Sequence, residues 1–154
     1  MEFELKSNLV ENVKAIIDKD LPLISNLSNL SRLIYDSIPN VSWCGFYLTF
    51  EDRDELYLGP YQGPLACTII PFGKGVCGTC ALEKKTQLIP NVHKCINHIA
   101  CSSKTNSEIV VPIIKNNRVV AVIDLDSEEF SNFSLAHQEE LEKVNLKMMK
   151  IFII

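Results

Sequence analysis

The chain reads as an α+β fold: a central antiparallel sheet of about five to six strands, with helices packed mainly on one face. Three observations predict it. Two early stretches carry apolar residues at helical spacing; the period then shortens to two through aromatic and β-branched stretches; and two β-branched runs near the end are joined by a tight turn and followed by a last helix. The order helix–helix–strands–helix–strands–helix does not form the alternating units of a parallel sheet.

Residues 4–18 place Leu5, Leu9, Val13, Ile16 and Ile17 at helical spacing, and residues 22–38 repeat the pattern with Leu23, Leu27, Leu30, Leu33 and Ile34. Pro22 suits the first turn of the second helix, and Pro39-Asn40 ends it. Val41–Phe50, VSWCGFYLTF, is aromatic-rich and predicts a strand. Glu51–Glu55 is a polar turn, Leu56–Leu58 begins a second strand, and Gly59-Pro60 breaks it; Leu65–Ile70 is a third strand. The glycine-rich loop Gly73–Gly78 leads into a short helix at about Cys77–Lys84, and Gln87–Ile89 is a short strand. Asn91–Thr105 has no clear period and reads as a long loop, a candidate lid. Glu108–Lys115 and Arg118–Asp126 are strands joined at Asn116-Asn117, and Ser134 caps a last helix running to about residue 150. The tail IFII is apolar enough to pack on a partner.

Residues 1–154 suit a single domain, since domains cluster near ~100–150 residues. With 47% apolar and 22% charged residues the composition is that of a soluble globular protein. A net charge of −4 with scattered basic residues argues against nucleic acid and against an anionic membrane as partners. The opening MEFELKSNL lacks the apolar region of a signal peptide, and no apolar run approaches the ~20 residues of a membrane span. The expected compartment is therefore cytoplasmic. There a cysteine cluster points to catalysis or metal binding rather than to a disulfide framework.

Such a cluster exists. Between Cys67 and Glu108 lie five of the six cysteines, two of the three histidines and three of the six glycines. Gly73-x-Gly75-x-x-Gly78 matches a dinucleotide fingerprint by letter, but no acid stands about 20 residues on and no βαβ unit follows. What remains is a loop that aims backbone N–H groups at a helix N-terminus, where a Cys77 thiolate would be favoured. Cys77-x2-Cys80-x12-His93-x4-His98 has zinc-finger spacing without a finger's own fold around it. Cys77-x-x-Cys80 as a thioredoxin-like dithiol lacks the expected βαβ unit.

Cys67, Cys77 and Cys101 fall at spacings of ten and twenty-four. Around them stand W-x-G-F-Y-L from Trp43, G-x-G-V-C-G-T from Gly73, H-I-A-C ending at Cys101, S-E-I-V-V-P from Ser107 and V-I-D-L-D-S from Val122. In this order and spacing the motifs resemble the free methionine-(R)-sulfoxide reductases, which are single GAF-fold domains; the likeness runs from Trp43 to Phe133. The resemblance implies that Cys101 attacks the sulfoxide sulfur and that Cys67 and Cys77 hold the two remaining redox positions, one of them resolving. It implies that Trp43 and Tyr47 line the pocket for the S-methyl end and that Glu108, Asp124 and Asp126 hold the substrate. The implied activity is thiol-dependent reduction of free methionine sulfoxide through a sulfenic acid and an intramolecular disulfide, recycled by a thioredoxin-type reductant. No cofactor or metal is implied, and the terminal helices would support a homodimer.

The residues suit that chemistry on their own terms. Thiol reduction of a sulfoxide needs a thiolate, a proton for the departing oxygen and a second thiol to condense with the sulfenic acid. An amino-acid ammonium needs carboxylates, and Asp124 and Asp126 are two apart on a strand, hence on one face. Trp43 and Tyr47 share a face by the same rule. His98, three residues before Cys101, is placed to favour its thiolate.

The alternative readings are a non-catalytic GAF-type sensor of a small molecule or of redox state, and a structural zinc site. The chain also departs from the family pattern: cysteines at 44, 80 and 95, Asn97 for an expected Gly, and Ser102 for an expected Asp beside the nucleophile. These departures bear on the resolving route, with Cys95 a candidate auxiliary thiol.

Overall fold

Residues 5–95 and 102–152 are described in the computed structural model of the chain. The first helix, α1, runs Leu9–Ile16, and Asn8 caps it by accepting the Glu11 N–H at 3.2 Å. It is shorter than the residues 4–18 that periodicity suggested, because the chain enters the helix only after this cap and leaves Leu5 55% exposed. Helix α2 runs Leu23–Ser37, with Pro22 at the flanking position. Asn40, at φ 60°, turns the chain into the sheet.

The strands are β1 (Val41–Thr49), β2 (Glu55–Gln62), β3 (Ile69–Pro71), β4 (Gln87–Ile89), β5 (Ser107–Lys115) and β6 (Arg118–Ser127); α3 (Gly75–Glu83) lies between β3 and β4, and α4 (Leu135–Met148) follows β6. The sheet has six strands in the order β3-β2-β1-β6-β5-β4, each neighbouring pair antiparallel. Asn116 and Asn117 both take positive φ, as the two-residue turn between β5 and β6 requires. Ser134 caps α4 in a reciprocal box with His137, each side chain bonded to the other's backbone N–H.

Strand alternation sorts the core into two layers. Cys44 and Phe46 of β1, Ile109, Val111 and Ile113 of β5, and Ala121, Ile123 and Leu125 of β6 pack against α1, α2 and α4. The opposite face carries Trp43, Tyr47, Leu56, Val110 and Val122, and α3 packs there through Val76, Cys77, Cys80 and Ala81. Three helices thus cover one face, as expected, and leave the other for α3 and a cavity.

Two strands differ from expectation. Gly59-Pro60 does not break β2; the strand continues through it to Gln62 with one extra residue between Leu58 and Tyr61. An edge of the ladder can absorb a proline at a bulge, where its missing N–H costs no bond. Conversely, the strand expected over Leu65–Ile70 is only Ile69–Pro71, and Leu65 is 88% exposed. The Pro64 carbonyl is instead taken by the Trp43 indole. Among the described residues no helix is long and apolar enough to cross a membrane.

Candidate active site

A cavity of about 460 Å³ opens on the α3 face, lined by Trp43, Tyr47, Cys77, Glu108, Asp124 and Asp126 among others. Strand register assembles it. Trp43 pairs with Asp126 across β1–β6, and Asp126 pairs with Glu108 across β6–β5, so one row crosses three strands. The next row is Gly45, Asp124 and Val110. Trp43 lies in the unbroken register that pairs Gly45 with Asp124 and Tyr47 with Val122, so regular alternation puts it on this face; the bulge between Val41 and Trp43 sends only Val41 to the helix-covered layer.

The aromatic wall is a stack. Trp43 lies 5.9 Å from Tyr47 at an interplanar angle of 23°, and 5.2 Å from Tyr61 at 18°. The Trp43 indole N–H donates to the Pro64 carbonyl oxygen at 3.0 Å, and the Tyr47 hydroxyl donates to the Cys67 carbonyl oxygen at 3.0 Å. Sequence reasoning missed Tyr61 because the expected strand break at Gly59-Pro60 left it without a face; its signal is an aromatic placed just past a possible bulge.

The acid wall is buried. Glu108 and Asp124 are 6% and 5% exposed, and Asp126 is half-buried. Burial first, then the neighbouring Asp124, pushes both Glu108 and Asp126 above the usual carboxylate range. One Asp126 oxygen, Oδ1, is buried with no hydrogen-bond partner among the described residues. A buried, unmatched acceptor in a cavity is a place for a donor or cation from outside.

Cys77 sits in the first turn of α3, where the helix N-terminus was expected to favour its thiolate. The site reverses that expectation: burial, followed by Asp124, Glu108 and Asp126, pushes the thiol up, so the neutral form is the stable one. Cys44 and Cys80 are also raised by burial, with Asp124 next, and the Cys80 Sγ lies 3.7 Å from the Val110 carbonyl oxygen. Cys77, Cys80, Cys44 and the half-buried Cys95 are free thiols, whereas Cys67 is disulfide-bonded. Cys101 and His98 lie outside the described residues, as does part of the long loop from Asn91 to Thr105.

Among the described residues, ligand atoms of Cys77, Glu108 and Asp124 lie within 4.8 Å of one another, close enough to share an ion. Among the described residues, Cys77, Cys80 and His93 of the zinc-finger set do not form such a group: the Cys80 Sγ meets the Val110 carbonyl oxygen, and His93 meets Asn106 at 2.7 Å. The glycine loop is explained by packing. Gly73 and Gly75 take φ of 81° and 63°, and a Cβ on Gly78 would run into the Pro71 carbonyl oxygen.

An aromatic stack, buried carboxylates and Cys77 lining one cavity, on a six-stranded antiparallel sheet, define a small-molecule pocket in a GAF-type domain. The GAF domain family matches residues 25–144, and the chain belongs to it. Within that fold it belongs to the free methionine-R-sulfoxide reductase family. It is 42% identical over 147 residues to the free methionine-R-sulfoxide reductase of Saccharomyces cerevisiae, covering 92% of this chain and 82% of the relative. It is 37% identical over 148 residues to the Escherichia coli protein of that name, covering 96% and 88%. The crystal structure of the Neisseria meningitidis free methionine-R-sulfoxide reductase in complex with its substrate superposes with a TM-score of 0.88 at 36% identity, covering 94% of this chain and 86% of that one.

Proposed function

We propose that this chain reduces free L-methionine-(R)-sulfoxide to methionine. The observation that carries the reading is the row Trp43–Asp126–Glu108 with Asp124 beside it, which offers an apolar wall and buried carboxylates within one cavity. The S-methyl group packs on Trp43 and Tyr47. The substrate ammonium meets the carboxylates, which are its natural partners in a desolvated site. Glu108 or Asp126, held protonated by burial and by Asp124, delivers the proton that the sulfoxide oxygen takes up.

In the proposed cycle the Cys101 thiolate attacks the sulfoxide sulfur. The oxygen, protonated, ends on the cysteine as a sulfenic acid, and methionine leaves with the electron pair. Cys67 then attacks the sulfenic sulfur, water departs and a disulfide forms. An external dithiol of the thioredoxin type takes the disulfide back to two thiols. Cys67 is favoured over Cys77 as the resolving thiol because Cys67 is disulfide-bonded while Cys77 is a free thiol among carboxylates. A homodimer belongs to the same reading, supported by Leu135 and Leu146 of α4, which are 69% and 68% exposed.

The test is epimer-resolved consumption of free methionine sulfoxide by the purified protein with dithiothreitol, with Cys101→Ser alongside. Loss of the R epimer alone, abolished in the variant, is the expected result. Turnover of neither epimer would return the chain to the sensor reading.

A further inference from the structure

We propose that Tyr61 is a positioning residue for this site: stacked on the Trp43 indole above Gly45, it fixes the wall that receives the S-methyl group. The proposal rests on the reading of Trp43 as that wall.

The placement of Tyr61 is a consequence of one extra residue. Leu58 pairs with Tyr47, and Tyr61 pairs with Gly45, so three steps on β2 match two on β1. Regular alternation from Leu58 would put Tyr61 on the far face; the bulge at Gly59-Pro60 turns it to the cavity side, where it joins Leu56 and Leu58. There its ring lies 5.2 Å from Trp43, nearly parallel at 18°.

The space for this stack is reserved by glycines. A Cβ on Gly45 would collide with the Tyr61 Cβ and would stand 2.6 Å from the Trp43 Cη2 atom. A Cβ on Gly63 would stand 2.7 Å from the Trp43 Cδ1 atom, at a φ of 126° that side chains rarely adopt. The indole therefore lies flat across Gly45, with Gly63 at one edge, Tyr47 and Tyr61 stacked against it, and its N–H anchored on Pro64. Tyr61 itself is not among the residues lining the cavity, so it acts through Trp43.

The experiment compares Y61L, Y61F and G45A with the wild type by steady-state kinetics and by tryptophan fluorescence. Trp43 is the chain's single tryptophan, so its emission reports directly on the wall. Y61L is expected to raise KM roughly two- to tenfold, the equivalent of losing one aromatic pair, with kcat little changed and the emission shifted to the red. Y61F keeps the ring and is expected to retain the wild-type KM and emission. G45A reads the same relationship from beneath the indole and is expected to move KM and emission in the direction of Y61L, which covers the case in which Y61L does not fold. Wild-type KM and emission in Y61L, or in a folded G45A, would overturn the proposal; so would a Y61F variant that behaves like Y61L. A wild-type protein without turnover would instead overturn the reductase reading, and this is seen before any variant is compared.

Discussion

The Tyr47 hydroxyl donates to the Cys67 carbonyl oxygen at 3.0 Å, joining the aromatic wall on β1 to the segment that carries the disulfide-bonded cysteine. Twenty residues separate the two in sequence, and Tyr47 is only 2% exposed. Burial first, then Asp124, pushes the phenol far above its ordinary range, so it remains a donor at any working pH.

Tyr47→Phe removes this bond while keeping the ring stacked beside Trp43. The expected loss of stability is about 1 kcal/mol, the net worth of one hydrogen bond, seen as a lower urea midpoint at unchanged slope. The release of the Cys67 segment should also slow disulfide formation after a single turnover. An unaltered midpoint together with an unaltered rate of disulfide formation would mean that the bond holds nothing in place.

The acid cluster makes the substrate-free protein pH-sensitive. Glu108 and Asp126 are both raised in the folded state, by burial first and then by Asp124. The unfolded chain loses these protons near pH ~4, so above that point the folded state holds protons that the unfolded state does not. Stability therefore falls as pH rises from about 4 toward the raised folded values, and levels off beyond them. Glu108→Gln should flatten this slope, since an amide needs no proton to be neutral. Urea denaturation of wild type and variant across that window checks it; equal slopes would sink the account. Substrate, by bringing an ammonium, should release protons on binding in the same window.

The site was more legible than the backbone that carries it. Asp124 and Asp126 share a face because strands have a period of two, and that could be read from letters. That Trp43 shares their face could not, because it depends on the register in which β1 pairs with β6, which no residue announces. The same limit hid Tyr61. Gly59-Pro60 has the composition of a break, and only pairing with a continuous β1 tells a bulge from an end. The environment of Cys77 was misread for a related reason. A helix N-terminus is a local signal, whereas burial of the thiol, and after it the carboxylates of Asp124, Glu108 and Asp126, come from tertiary contact and outweigh it.

The glycine motif gives a further prediction, since its dinucleotide-like spacing is used for packing. Gly78 approaches the Pro71 carbonyl where α3 leaves β3, leaving no room for a side chain. Gly78→Ala should destabilise by about 1–3 kcal/mol, the usual cost of overpacking, although alanine is the better helix former. Thermal unfolding with and without a nicotinamide dinucleotide checks both halves. A stable G78A variant would contradict the packing account, and a dinucleotide-induced rise in wild-type melting temperature would restore the binding motif.

The cysteine assignment can be decided by mass. One equivalent of methionine sulfoxide added to fully reduced wild-type protein should remove about 2 Da as a disulfide forms from two thiols. Cys67→Ser should instead gain about 16 Da, the oxygen left as a sulfenic acid with no partner to expel it, and should lose turnover with a thioredoxin-type dithiol. Cys77→Ser should still form the disulfide, because the Cys77 thiol is held neutral by burial first and then by Asp124, Glu108 and Asp126, and is a poor nucleophile there. Peptide mapping of the oxidised wild type should place Cys67 in the bridge. If Cys77→Ser is the variant that accumulates the extra oxygen, the resolving role passes to Cys77, and the carboxylates around it must then act as the base that ionises it.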